Sequence, residues 1–100
     1  RSQDMLTANN WNVLQYAVLL SMFAQVSGLE AGELVHVIAD AHIYDRHVPM
    51  VEELLTREPY EAPEFVMDRS VADFYRFTVD SFSLKNYRYH PFSERIPVAI

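Results

Sequence analysis

A mixed α+β architecture, with a long buried helix packed on β-strands, is the fold class predicted by this sequence of 100 residues. Half the residues are hydrophobic and 13% are aromatic, too apolar for a disordered chain and suited to one small domain at most. The segment from Val13 to Val26 is apolar almost all round, broken only by Gln15, Ser21 and Gln25, which is the pattern of a helix covered on every side. Val35, Val37 and Ile38 then form a β-branched run that suits a strand. No internal repeat, low-complexity tract or linker divides the chain, so it reads as one unit.

In chain order, the dominant helix comes first. Asn9 or Asn10 suits its N-cap, because a short amide side chain accepts from the free amides of a first turn. Gly28 suits the residue beyond its end. The apolar stretch falls short of the roughly 18 residues that a membrane span needs. A helix wrapped on all sides needs more protein around it than the rest of this chain comfortably supplies. The chain also opens at Arg1 with no initiating Met, so the expectation is a piece cut from something longer. Glu33 to Ile43 reads as a strand. Pro49, with Glu52 and Glu53 in the first turn and apolar Val51, Leu54 and Leu55, predicts a short helix that ends before Pro59. Glu64 to Asp68 reads as another strand. Ser70 and Asp73 resemble a capping box for a short turn of helix through Phe77. Thr78 to Leu84 alternates loosely as a further strand, and Tyr87 to Ile100, with Pro91 and Pro97, reads as irregular.

Eight Lys plus Arg against fourteen Asp plus Glu leave a formal net charge of -6, and the single lysine is Lys85. Such a chain lacks the clustered cations of a nucleic-acid surface, so neither DNA nor a membrane is an expected partner. Without cysteine it holds no disulfide, no thiolate zinc site and no cysteine nucleophile of its own.

Four places carry residues suited to chemistry. In Arg1-Ser2-Gln3-Asp4 a guanidinium stands beside a hydroxyl, a pairing that suits an anion such as phosphate; the alternative is a charged, frayed terminus. At the mouth of the helix, Asn12 offers a carboxamide whose acceptor and donors match a base edge, with capping or a satisfied buried amide as the alternative. Within Asp40-Ala41-His42-Ile43-Tyr44-Asp45-Arg46-His47, a continuing strand would turn Asp40, His42 and Tyr44 to one face. His42 and Tyr44 would then stand roughly 7 Å apart along the backbone, close enough to converge on one hydroxyl. Asp40, His42 and His47 match no compact metal motif, and no metal is expected. His36 and His90 read as structural. Nothing supports a Ser-His-Asp arrangement. The apolar tail Pro97-Val98-Ala99-Ile100 is either a frayed end or a flap that folds over a ligand and excludes water.

Taken together, Arg1-Ser2-x-Asp4, Asn12, Asp40-Ala41-His42-Ile43-Tyr44 and the ending Pro97-Val98-Ala99-Ile100 closely resemble the C-terminal part of thymidylate synthase. The likeness covers all one hundred residues, in order and without an obvious insertion. It implies an α+β piece of a single thymidylate synthase domain, residues 1–100, in which a long buried helix packs on β-strands. Family members convert deoxyuridylate (dUMP) to thymidylate (dTMP) with 5,10-methylenetetrahydrofolate as one-carbon donor and reductant. By resemblance, Arg1 and Ser2 grip the nucleotide phosphate, and Asn12 pairs with the uracil edge. His42 and Tyr44 bind the deoxyribose 3′-hydroxyl. Asp4 anchors the folate and orders the nucleotide pocket, Ala8 lies beside the substrates, and Val98, Ala99 and Ile100 close over the folate. The resemblance also implies a cytoplasmic, homodimeric methyltransferase of nucleotide biosynthesis.

Two departures qualify the likeness. Thr7-Ala8-Asn9-Asn10-Trp11 stands where Leu-Gly-x-Pro-Phe is common, so Ala8 replaces a glycine near the substrates and Trp11 replaces a smaller ring. A divergent branch with a reshaped pocket wall is expected. The family's chemistry also begins with a cysteine thiolate that adds to the pyrimidine, and that cysteine lies upstream of the arginine-serine motif. The chain is therefore expected to supply binding residues but no catalytic one, and to be inactive alone. Two alternatives stay open: a piece of a pyrimidine nucleotide hydroxymethylase, against which Asn12 argues, and a stand-alone nucleotide-binding or dimerisation module.

Overall fold

The computed structural model describes residues 1–98, so Ala99 and Ile100 lie outside the described residues. Strand β1 (Ser2–Asp4) leads through a tight turn into α1 (Asn9–Val26), and a long excursion returns to β2 (Asp40–His42). β1 and β2 pair in parallel, with Ser2 opposite Asp40, Gln3 opposite Ala41 and Asp4 opposite His42. A parallel pair requires a crossover, and α1 supplies it. After a 3-10 turn at Asp45–His47, α2 (Val48–Leu55) follows with Pro49 in its first turn, where a missing amide hydrogen is harmless. β3 (Glu64–Met67) pairs antiparallel with β4 (Phe82–Lys85), and the register sets Glu64 opposite Lys85. Two short 3-10 turns, Phe74–Arg76 and Val79–Ser81, lie between them.

Aromatic rings join these parts. Phe23 of α1 stacks on Phe74 at 4.8 Å, Phe77 stacks on Phe82 at 5.5 Å, and Phe65 faces Phe82 at 6.2 Å. Gln25 adds a polar tie: its Nε2 donates to the carbonyls of Asp68 and Val71 at 2.9 and 2.8 Å. Among the described residues the segment after β4 has no ladder partner and is pinned by side chains instead. Arg57 donates to the carbonyls of His90 and Pro91, pairs with Glu53 at 2.6 Å and stacks over Phe92.

Several local expectations change. Ala8, not Asn9 or Asn10, occupies the N-cap, without a side-chain bond, although Asn10 Oδ1 accepts from the first-turn amide of Trp11 at 3.0 Å. The reason lies upstream, where Asp4 accepts from Leu6 and Thr7 and shapes a turn that runs straight into the helix. Gly28 does take the left-handed conformation after the helix, with φ of +67°. The strand expected over Glu33–Ile43 shortens to Asp40–His42. Val35 and Val37 have the right side chains but no neighbouring strand, and β1 is too short to pair with them. Ser70 bonds to Asp68, and Asp73 itself caps its 3-10 turn by accepting from Tyr75, so the pair forms no capping box. The strand expected from Thr78 starts only at Phe82, because Thr78 and Ser81 close a 3-10 turn first.

The described residues cover α1 on one side only. None of its residues is buried, and Trp11, Leu14, Tyr16 and Phe23 are all more than half exposed. Leu6 and Met67 are the buried apolar residues among those described. The accessible surface of 8294 Å² exceeds the roughly 5,800 Å² of a compact monomer of this mass. The radius of gyration, 16.4 Å, likewise exceeds the ~13 Å of a folded hundred-residue domain. No helix among the described residues is long and apolar enough to cross a membrane.

Candidate functional site

The crossover β1-α1-β2 builds the candidate site. Parallel pairing brings Asp4 beside His42, although the whole of α1 separates them in sequence, and the Met5 amide donates to the His42 carbonyl at 2.9 Å. The turn from Asp4 into α1 then aims one helix stripe inward. Ala8, Asn12 and Tyr16, each four residues apart, line the same cavity as Arg1, Ser2, Gln3 and Asp4. The cavity has a volume of about 390 Å³, within the range of sites for small molecules. His36, Val37 and Ile38, from the excursion before β2, complete its wall.

Arg1 and Ser2 sit exposed along its lining, with no side-chain hydrogen bond among the described residues, so their donors are uncommitted. The Asn12 Nδ2 donates to Oε1 of buried Gln3 at 3.1 Å. One amide proton is thereby committed, and the carboxamide plane is held with its oxygen and second proton uncommitted. Asp4 is committed more heavily. Its Oδ1 accepts from the amides of Leu6 and Thr7 at 3.0 and 3.2 Å, and Oδ2 accepts from the Thr7 hydroxyl. Partial burial pushes this carboxyl up, but the hydrogen bonds from Thr7 and Leu6, with His47 nearby, together hold it below the ordinary carboxylate value.

His42 and Tyr44 stand beside this cavity and do not line it. The ladder ends at His42, while Tyr44 keeps an extended backbone beyond it, and the two rings meet edge to face at 5.1 Å. Tyr44 also meets the ring of His47 at 5.6 Å. His47 is the most buried side chain among the described residues, 1% exposed. Its Nδ1 lies 3.9 Å from Asp4 Oδ2, and its Nε2 lies 2.8 Å from the Pro97 carbonyl. Asp4, His47, Tyr44 and His42 thus form a continuous arc beside the cavity.

Of the predicted site residues, Arg1, Ser2, Asp4, Ala8 and Asn12 therefore share one cavity, and His42 and Tyr44 adjoin it through the strand pair and the arc. Val98 is largely exposed outside it, with its carbonyl accepting from Arg46 at 3.1 Å. Ala99 and Ile100 lie outside the described residues. Sequence reasoning missed Gln3 and Tyr16, and weighed His47 only as a metal ligand. The four-residue spacing from Ala8 through Asn12 to Tyr16 was a readable signal; Gln3 and His47 owe their places to tertiary contact. His36 meets Tyr16 edge-on at 6.3 Å, and His90 stacks on Tyr60 at 4.3 Å and bonds to the Glu58 carbonyl. Asp40 and His42 approach to 3.7 Å, but no three His, Cys, Asp or Glu converge among the described residues.

A polar cavity framed by a parallel strand pair and the start of their crossover helix places this chain among α+β units with a cleft at the crossover. The relatives make that class specific. The family model for thymidylate synthase matches residues 1–100, and the chain belongs to that family. The chain is 48% identical over 89 residues to thymidylate synthase of Bacillus phage phi3T, a match covering 89% of this chain and 32% of that protein. Thymidylate synthase 1 of Bacillus subtilis strain 168 is 47% identical over the same coverage. The solved structure of thermostable thymidylate synthase A from Bacillus subtilis superposes with a TM-score of 0.92 at 43% identity. That superposition covers 97% of this chain and 35% of the other. The chain spans about a third of the length of the relatives it matches.

Proposed function

We propose that residues 1–100 are the C-terminal piece of a single thymidylate synthase domain, and that the whole protein methylates dUMP to dTMP. One observation carries the reading: Arg1, Ser2, Asp4 and Asn12 open onto a single cavity, and Gln3 holds the base-reading amide in place. The uncommitted donors of Arg1 and Ser2 suit the nucleotide phosphate. The Asn12 oxygen accepts from uracil N3–H while its remaining proton reaches O4. His42 and Tyr44, edge to face, meet the deoxyribose 3′-hydroxyl from beside the cavity.

The folate co-substrate, 5,10-methylenetetrahydrofolate, supplies the one-carbon unit and the electrons that reduce it. Asp4, part-buried and kept ionised by its turn, faces that ligand with a fixed charge, and Ala8 shapes the adjoining wall. Val98, Ala99 and Ile100 close over the folate. No side chain here forms a covalent bond to the pyrimidine. That step belongs to a cysteine elsewhere in the whole protein, so the isolated hundred residues are inactive. The uncovered faces of α1 support a piece over a stand-alone module, because they need further protein against them. The whole enzyme works as a cytoplasmic homodimer.

The test is base preference. Calorimetric titration of the intact protein should show dUMP bound in preference to deoxycytidylate, and Asn12→Asp should weaken dUMP binding while improving deoxycytidylate binding. An unchanged preference in the variant removes Asn12 from the assignment.

A further inference from the structure

We infer that His47 is a positioning residue for the tail segment Pro97–Val98: with Arg46 it fixes those two carbonyls, and so ties that segment through its own ring to the Asp4 turn. The inference rests on the folate-binding reading above. Among the described residues after Tyr87 there is no ladder, so the path depends on side chains that reach the carbonyls. Arg46 and His47 are neighbours on one 3-10 turn, closed by the His47 amide donating to Tyr44. That turn aims two donors at consecutive residues of the tail, Nε2 of His47 at Pro97 and Nη1 of Arg46 at Val98.

A carbonyl oxygen has no proton to give, so the 2.8 Å contact requires the proton on Nε2. Nδ1 then turns toward Asp4 Oδ2, 3.9 Å away, and has no hydrogen-bond partner among the described residues. A buried ring kept for packing alone needs neither nitrogen placed in this way. Here the ring is wedged between the Tyr44 edge, the Asp4 turn and the tail. The same side chain therefore touches both the strand-pair side of the site and the tail at Pro97. Asp4 binds one part of the folate in this reading, and His47 registers the tail against Asp4.

Three variants of the intact protein separate positioning from packing. His47→Phe keeps the ring and its contact with Tyr44 but removes the donor. His47→Gln restores a donor at similar reach without the ring. Arg46→Met removes the second donor from an exposed site. Hydrogen exchange over residues 92–98 should quicken in His47→Phe and Arg46→Met and return to the parent rate in His47→Gln. The KM for the folate should rise about threefold to tenfold in His47→Phe, the scale of one lost hydrogen bond, while the KM for dUMP changes by less than about twofold. Parent-like exchange in His47→Phe overturns the proposal, as does His47→Gln failing to restore it. If His47→Phe does not fold, the Gln and Met variants decide alone: slow exchange in both, or fast exchange in both, overturns it. A parent protein that does not methylate dUMP overturns the functional reading and leaves the exchange comparison as the test of the clamp.

Discussion

Asp4→Ala should destabilise the intact protein by about 2–3 kcal/mol. The carboxylate accepts three hydrogen bonds from its own turn, from the Leu6 amide, the Thr7 amide and the Thr7 hydroxyl. Bonds to a charged acceptor each contribute roughly 1.5–3 kcal/mol when shielded. Only the Leu6 bond is shielded, since Thr7 is exposed and water replaces much of what its two bonds lose. Asp4→Asn keeps an oxygen for the two amides and gives up the charge, so its cost at neutral pH should be about 1 kcal/mol. The pH dependence has a definite sign. The folded-state carboxyl lies below its ordinary value of 3.8, so its stabilisation is complete above that value and is lost as pH falls through the lowered one. The gap between parent and Asp4→Asn should therefore be widest at neutral pH and close in acid. Urea denaturation from neutral pH down to about pH 3 measures both quantities. A cost below about 0.5 kcal/mol for Asp4→Ala, or an Asp4→Asn deficit that widens in acid, refutes the account of this turn.

Two further substitutions probe the site and the helix end. Gln3→Leu keeps a buried side chain of similar size but frees the Asn12 amide, so dUMP affinity should fall about threefold to tenfold by calorimetry. Equal affinity would mean that Gln3 does not orient that amide. Gly28→Ala meets no atom within 4 Å of the new methyl, so its cost of about 1 kcal/mol should arise from the left-handed backbone alone. Gly28→Asn should recover most of the lost thermal midpoint, because asparagine tolerates that conformation.

The candidate site was legible where chemistry depends on residue type. A guanidinium beside a hydroxyl, a carboxamide at a helix mouth and a histidine-tyrosine pair each announced a capacity for contact, and the four patterns in order carried the family. Helix α2 and strand β3 were legible for a different reason: Pro49 and the run from Glu64 carry local signals that nothing nearby contradicts. Local signals misled where a partner decided the outcome. Val35 and Val37 favour a strand by side-chain shape, yet a strand needs a neighbour to satisfy its amides, and β1 offers only three residues. Asn9 and Asn10 are good caps by type, but the Asp4 turn had already shaped the approach to the helix.

By itself, then, the sequence determined the helix of Val13–Val26, the glycine that ends it, the lack of any thiol chemistry and the inventory of donors and acceptors, because these follow from side-chain identity and short-range spacing. Tertiary structure alone decided that Asp4 lies beside His42, that Gln3 holds Asn12, and that His47 joins the Asp4 turn to Pro97. Those contacts join segments separated by as many as 50 residues. No local pattern encodes them, since each exists only once β1 has packed against β2 and α1, or the tail has reached the turn at Asp45–His47.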